Sequence, residues 1–203
     1  MAGRHYFAKL TKSTAVVFTI FCAMLISYNS VLGQHQEEDA SVLLGKLKDS
    51  KLSLVDGIRQ AEKANGPAIS AKFEMKGDKL MLSVYTAKEG LSKDSEHNVL
   101  MELIGDATQA QWTPETEVFE DKPHIARSAM HLTSMQLTGM TLADIVKRAS
   151  TQQKGTVYSV IPAIRGGKSV FDVLVATPEG RSVHLTLDAR TGKAMKERAV
   201  ARR

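Results

Sequence analysis

The sequence predicts an α+β protein built from two repeated units, each a helix packed on a small antiparallel sheet, after a signal peptide. The first observation is the repeat itself. Residues 53–61 (SLVDGIRQA) and 141–149 (TLADIVKRA) match at hydroxyl, leucine, aspartate, aliphatic, basic and alanine positions. The second is that each copy is followed by a glycine and two segments of alternating apolar residues. Such alternation is typical of half-buried strands.

The N-terminal residues predict export. Residues 1–13 contain three basic residues and no acidic one, and an uncharged apolar run follows at 14–26. This run is shorter than the ~20 residues of a transmembrane helix. Val31 and Gly33 supply small residues before a polar segment, which is the signal-peptide pattern. We expect cleavage near Gly33, hence a secreted or periplasmic protein of the bacterial cell envelope; an uncleaved anchor is the alternative.

Cysteine and charge exclude several classes of protein. Cys22, the single cysteine, lies inside the apolar run after the bulky Phe21, so we do not expect a lipoprotein. Removal of residues 1–33 therefore leaves no thiol for disulfides, nucleophilic catalysis or metal binding. The basic residues are dispersed and aromatics are only 5% of the chain, so nucleic acid is not an expected partner.

The first unit is predicted at residues 52–121, after a polar spacer at 34–51. An apolar patch in the spacer leaves a short helix and a flexible segment both open. Ser53 and Asp56 form a capping-box pattern, which satisfies free backbone N–H groups at a helix start. Gly66 and Pro67 end the helix. Strands are predicted at 69–75, 80–84 and 99–104, with a long loop at 88–97 and another strand within 111–119, broken by Pro114.

A connecting helix is predicted at 122–139, because apolar residues recur there at helical spacing and Asp121 and Gly139 suit its start and end. The second unit is predicted at 140–196. Thr141 and Asp144 repeat the capping box.

Strands of the second unit are predicted at 157–161, 169–176, 183–187 and 194–195, and Pro162 is expected to mark a strand end or an edge. Residues 197–203 form a basic tail, either solvated or weakly attracted to anionic lipid. The predicted core comprises Leu54, Ile58, Phe73 and Leu82 in the first unit and Leu142, Ile145, Val146, Val173, Leu185 and Leu187 in the second.

The second unit resembles the PepSY domain, which is named from propeptides of secreted metallopeptidases and a spore-cortex protein. A capped helix at 142–149 (LADIVKRA), hairpin strands and the turn at 187–193 (LDARTGK) carry the resemblance. The first unit keeps the helix and hairpin but departs at 105–108 (GDAT), which lacks the T-G-K ending, and it has a longer insertion. The resemblance implies a helix across an antiparallel sheet in exported proteins that bind or restrain peptidases. It implies no catalytic residues.

The residues themselves also predict no enzyme, no cofactor and no metal site. No G-x-S-x-G elbow or H-E-x-x-H helix is present. His124 and His131 are seven residues apart, about 10 Å along a helix, which is too far for two ligands of one metal. Asp188, followed by Thr191 and Gly192, is expected to accept backbone hydrogen bonds in a turn. The alternative is that Asp188 contacts a metal or a partner.

These observations favour a non-catalytic binding module whose oligomeric state stays open. We expect it to bind a peptidase or an extended peptide, because an exposed sheet edge can pair with an added strand. The alternative is a structural or sensory envelope protein without a peptidase partner.

Overall fold

The computed structural model describes the backbone of residues 40–199 and the side chains of residues 40–195. The signal peptide, its cleavage site near Gly33 and the end of the basic tail lie outside the described residues. Within the spacer, residues 42–46 are helical and lead into a 3-10 turn at Leu47–Asp49. Leu47 is buried in the core, so this part of the spacer packs on the domain.

Three longer helices follow the capping signals of the sequence. Helix α1 spans Leu54–Asn65, α2 spans Lys122–Gln136 and α3 spans Leu142–Gln152. Helix α2 begins after Asp121, whose carboxylate accepts the backbone N–H of His124.

Eight strands form one antiparallel sheet in the order β4-β3-β2-β1-β5-β6-β7-β8. Their bounds are Ala68–Lys76 (β1), Lys79–Ala87 (β2), Leu100–Asp106 (β3), Glu115–Val118 (β4), Thr156–Arg165 (β5), Lys168–Ala176 (β6), Ser182–Asp188 (β7) and Ala194–Ala199 (β8). A 3-10 turn at Ser95–His97 lies in the long loop between β2 and β3.

The prediction of a separate small sheet for each unit is wrong. Strands β1 and β5 pair with each other and join the two sets of four strands into one sheet. The ladder between them is short, with Ala71 opposite Val160 and Lys72 opposite Ser159. Two separate sheets would each leave a row of unpaired backbone groups on their first strand, and this pairing satisfies part of both rows.

Two strands continue past their predicted ends, and of the two expectations for Pro162 the edge position holds. Strand β5 continues through Pro162 to Arg165. This is tolerated because the β1 ladder ends at Val160, so the proline lies beyond it and pairs with Phe171 of β6 on the other side. Strand β8 extends to Ala199 and pairs with β7 up to Val183, further than the predicted 194–195.

The helices lie on both faces of the sheet. Helices α1 and α3 contact each other and cover one face, here called the helix face, which includes Phe73 and its ladder partner Leu82. Helix α2 packs on the opposite face, here called the back face, where Nδ1 of His131 lies 3.1 Å from Oγ of Ser70. Neighbouring residues of a strand point to opposite faces, which separates Ser70 from Ala71.

The predicted core is confirmed. Every residue predicted to be buried is at most 3% exposed, and these side chains belong to one hydrophobic cluster that runs through both sets of strands. The described elements belong to one compact unit that begins at Val42.

Candidate functional site

Both capping boxes form. The backbone N–H of Asp56 donates to Ser53 Oγ at 3.2 Å, and the backbone N–H of Ser53 donates to Asp56 Oδ2 at 3.4 Å. The corresponding distances between Thr141 and Asp144 are 3.2 and 3.3 Å. The hydroxyl of Thr141 also donates to Asp144 and lowers the pKa of that carboxyl. These four residues therefore cap the starts of α1 and α3.

Asp188 lies at the end of β7 and organises the turn that follows. Its Oδ1 accepts the backbone N–H groups of Arg190 at 3.1 Å and Thr191 at 2.8 Å, and the Thr191 hydroxyl at 2.9 Å. These bonds, first the one from the Thr191 backbone, lower the pKa of the Asp188 carboxyl. Gly192 closes the turn with φ of +65° and donates its N–H to the Asp188 carbonyl at 2.8 Å.

The same turn is held against helix α3. Arg148 Nη1 donates to the Thr191 carbonyl at 3.3 Å, and Gln152 Nε2 donates to the Gly192 carbonyl at 3.0 Å. Gln152 Oε1 accepts the N–H of Ala194 at 2.8 Å. A Cβ at Gly192 would come within 2.4 Å of Arg148 Cδ, so glycine permits this close approach. Asp188 Oδ1 and the carbonyl oxygens of Thr191 and Gly192 are thus engaged in bonds within the chain.

Asp106 is the matching residue of the first half, in the turn at 105–108, and sequence reasoning did not predict its role as a hydrogen-bond acceptor. It ends β3, and its Oδ1 accepts the N–H of Thr108 at 2.9 Å and the Thr108 hydroxyl at 2.6 Å. The Thr108 hydroxyl is the main cause of the lowered pKa of Asp106. The signal was present at 106–108, where aspartate is followed two residues later by threonine, but the missing T-G-K obscured it.

The described histidines are dispersed. His97 contacts Asp94, His124 contacts Asp121 and stacks on Phe119, and His184 contacts Asp172. Residues 40–195 contain no group of three or more His, Cys, Asp or Glu side chains that could hold a metal ion. His35 lies outside the described residues.

His131 is the one histidine of α2 that is buried, at 2% exposure. Burial is the main reason that its pKa is lowered to about 4, with Arg127 nearby as a second cause. Tyr85 lies next to it on the back face, and burial raises the pKa of its hydroxyl to about 12. These two side chains line a small cavity of about 50 Å³ under α2, which is too small for more than a water or two.

Two larger cavities lie near the helix starts. One of about 330 Å³ is lined by Leu47, residues 50–53, Asp56, Phe73 and Thr156. The other, of about 240 Å³, lies between the end of α1 and the start of α3. Its walls include Leu91, Met135 and Leu142, and Glu62 contributes a carboxyl whose pKa is raised by burial. In the first cavity the Ser53 hydroxyl donates to Asp56 Oδ2 at 2.6 Å, a contact that belongs to the capping box of α1.

The described sheet ends in two edge strands. Among the strands that the structure describes, β4 and β8 have one neighbour each. All four residues of β4 are exposed, and Glu117 lies opposite Glu102 of β3 in the ladder. At the other edge, Arg198 lies opposite His184 of β7. Each edge presents backbone N–H and C=O groups to which an extended segment could bind.

Comparisons with known proteins place a family match in the second half. Residues 139–198 match the PepSY model, described as peptidase propeptide and YPEB domain. Among solved structures, the chain is similar to a putative lipoprotein from Clostridium difficile 630, with 15% identity over 73% of this chain and 93% of that chain and a TM-score of 0.38. A search of curated proteins gives no significant match. No helix of residues 40–199 is both long and apolar enough to cross a membrane.

Proposed function

We propose that this protein, whose residues 139–198 form a PepSY domain, is an exported, non-catalytic module that binds or restrains a peptidase or an extended peptide in the cell envelope. The observation that carries the proposal is the open edge at β8, which belongs to the matched residues and has β7 as its neighbour. A partner strand could add there through backbone hydrogen bonds without any reacting side chain.

We further propose that residues 52–121 are a divergent copy of the same unit. Each half has a helix followed by four antiparallel strands. Support comes from irregular features at matching places, because these are less easily shared by chance than helices and strands. The β-bulge between Ala68 and Ser70 in β1 corresponds to that between Val157 and Ser159 in β5.

Two glycines before those strands give similar support. Gly66 has φ of +86°, and a Cβ there would come within 2.7 Å of the Ala87 carbonyl oxygen. Gly155 has φ of +146°, and a Cβ would come within 2.2 Å of the Ala176 carbonyl oxygen. Both carbonyls belong to the last residue of the returning strand, β2 or β6.

A third correspondence concerns the carbonyl after each turn aspartate. Ser50 Oγ lies 3.4 Å from the Ala107 carbonyl oxygen and donates to it, and Thr138 Oγ1 donates to the Ala189 carbonyl. Ser50 and Thr138 each precede the N-cap of the next helix by three residues.

Export rests on the N-terminal sequence pattern alone. We expect the native protein to begin at Gln34 outside the cytoplasm, and N-terminal sequencing of the protein from cell fractions measures this. Detection of a protein that still begins at Met1 in a membrane fraction would mean that the N-terminal segment is an uncleaved anchor.

The partner proposal is tested by capture of envelope proteins and by inhibition of each captured peptidase in a purified assay. Glu197→Pro and Arg198→Pro in β8 provide the matched pair. The N–H groups of adjacent strand residues point to opposite sides of the strand, so one proline faces β7 and the other faces the open edge. Urea unfolding shows which variant is which, because the proline that faces β7 removes a ladder hydrogen bond and destabilises the protein.

Edge pairing predicts that the stable proline variant loses the partner. Retained binding in that variant, or inhibition without any dependence on β8, would contradict edge pairing. If no peptidase is captured or inhibited, the structural or sensory role without a peptidase partner takes precedence. Flotation of the protein with anionic vesicles separately tests the proposed weak attraction of residues 197–203 to a membrane surface.

A further inference from the structure

The two edge strands of the sheet carry opposite charges at matching positions. In the first half, Glu117 of β4 lies opposite Glu102, and Glu115 lies opposite Ile104. In the second half, Arg198 of β8 lies opposite His184, and Lys196 lies opposite Thr186. The glutamates of one edge thus occupy the places that lysine and arginine occupy at the other.

The acidic edge is not neutralised within the described part of the chain. Glu115 and Glu117 are exposed, and neither makes an ion pair with any side chain of residues 40–195. Like charges directly opposite each other, as Glu102 and Glu117 are, destabilise a sheet. Glu120 adds an exposed carboxylate just after β4, whereas Asp121 next to it caps α2 and contacts His124. A cationic strand placed beside β4 would relieve this repulsion.

The topology lets a second copy supply that strand. All neighbouring strands are antiparallel, and the sheet has eight of them, so β4 and β8 run in opposite directions. A copy displaced along the sheet therefore places its β4 antiparallel to β8 of the first copy, with the back faces of both copies on the same side. An odd number of strands would have made this contact parallel. The usual sheet twist adds a rotation between the copies.

We propose that this protein associates with a second copy of itself by pairing β8 of one copy with β4 of the next. One register places Lys196 opposite Glu117 and Arg198 opposite Glu115. The same register places Met195 opposite Val118, which are 47% and 48% exposed in the single chain. The contact is heterologous, so each pair retains one free β4 and one free β8 and can extend to longer assemblies.

This association goes beyond the proposed function, because its partner is the chain itself rather than a peptidase. It also competes with partner binding at β8. Exposed ion pairs are individually weak and are screened by salt, so a short and salt-sensitive contact is expected.

The test is sedimentation velocity of the purified exported protein over a concentration series, first at about 0.01 M salt, where the Debye length is about 30 Å. The charge-reversal variants are E115K/E117K, which has two basic edges, and K196E/R198E, which has two acidic edges. We expect the wild-type protein to associate and each variant alone to associate at least roughly tenfold more weakly. An equimolar mixture of the two variants restores association, because each acidic edge again meets a basic one.

The controls reverse the same number of charges away from the edges: E89K/E96K and K88E/K154E. Both should associate as the wild-type protein does, and thermal melts of all variants should show folded protein. At about 1 M salt, with a Debye length of about 3 Å, wild-type association should weaken. A wild-type protein that stays monomeric, or variants that associate alone as well as the wild type, would overturn the proposal. Neither of these two results affects the peptidase proposal, because peptidase capture is measured separately at low protein concentration.

Discussion

An aspartate ends the third strand of each half and accepts backbone and threonine hydroxyl hydrogen bonds, but the two halves hold the following turn differently. In the second half, the T-G-K turn is held on α3 by Arg148 and Gln152. The helix positions that correspond in α1 are Gln60 and Ala64, which cannot make those bonds in the same way. The first half thus lacks both the turn ending and the two helix side chains that hold it in the second half.

In the first half, a buried aromatic side chain lies beside the end of β3. Trp112 is 6% exposed, and a Cβ at Gly105 would come within 2.6 Å of its Nε1. Its indole N–H has no hydrogen-bond partner in the described part of the chain. A buried unpaired donor costs stability, so the packing of the ring must offset that cost. Polar bonds thus hold the Asp188 turn on α3, whereas in the first half an indole ring packs beside Gly105, the residue before Asp106.

The largest expected effect tests whether the halves share one core. Leu54 and Leu142 are the first residues of α1 and α3 and are at most 2% exposed. Leu54→Ala and Leu142→Ala should each lower the free energy of unfolding by about 2–5 kcal/mol. Urea unfolding should show one transition in both variants, because β1 and β5 join the halves. A second transition confined to one variant would mean that the halves unfold independently.

The next effect is specific to the back face of the first half. Because burial lowers the pKa of His131 from 6.5 to about 4, the unfolded chain binds more protons between those pH values. Stability should therefore decrease as pH falls from about 6.5 to about 4, by about 2–3 kcal/mol from this residue. His131→Gln, which can still bond to Ser70 but does not titrate there, should remove this part of the pH dependence. An unchanged slope of unfolding free energy against pH would show that His131 is solvated.

A smaller effect compares the two glycines whose Cβ would meet a backbone carbonyl oxygen first, Gly66 and Gly155. Gly155→Ala and Gly66→Ala place a Cβ against a backbone carbonyl at a positive φ, and each should cost about 1–3 kcal/mol. Gly155→Ala should cost more, because its approach is closer. Gly77→Ala in the β1–β2 turn has open space and isolates the cost of positive φ alone. If all three variants lowered the melting temperature equally, the close approach to the carbonyl oxygen would not contribute to the cost of substitution.

The sequence predicts the features that depend on residues close together in the chain. It does not predict the contacts between segments that are far apart in the chain. Both capping boxes, the hairpins and the buried helix faces could be predicted, because hydroxyl–acid spacing and apolar periodicity are local signals. The pairing of Ala71 with Val160 could not, since nothing in either strand specifies its neighbour. The placement of α2 on the back face could not be predicted from the sequence either. Its contact between His131 and Ser70 joins residues 61 positions apart.

The smallest effect concerns the turn aspartates and separates a structural from a binding role. Asp188→Ala and Asp106→Ala should each lower the melting temperature, because each carboxylate accepts backbone and hydroxyl hydrogen bonds. Asp188→Asn should be milder, since its amide oxygen still accepts them. Both carboxyls have a lowered pKa, so their contribution is present above the unfolded value near 3.8 and is lost as pH falls through the lower folded value.

Binding assays on the same variants complete that comparison. If Asp188 closes a turn, partner binding should decrease only as far as folding does, and Asp106→Ala should behave like Asp188→Ala. Lost binding with undiminished stability in Asp188→Asn would instead assign Asp188 to a contact with a partner or a metal. Asp106 is the control for that outcome, because its carboxylate also accepts a backbone N–H and a threonine hydroxyl, in the half without the T-G-K ending. A loss that appears at Asp188 and not at Asp106 would locate partner binding in the second half.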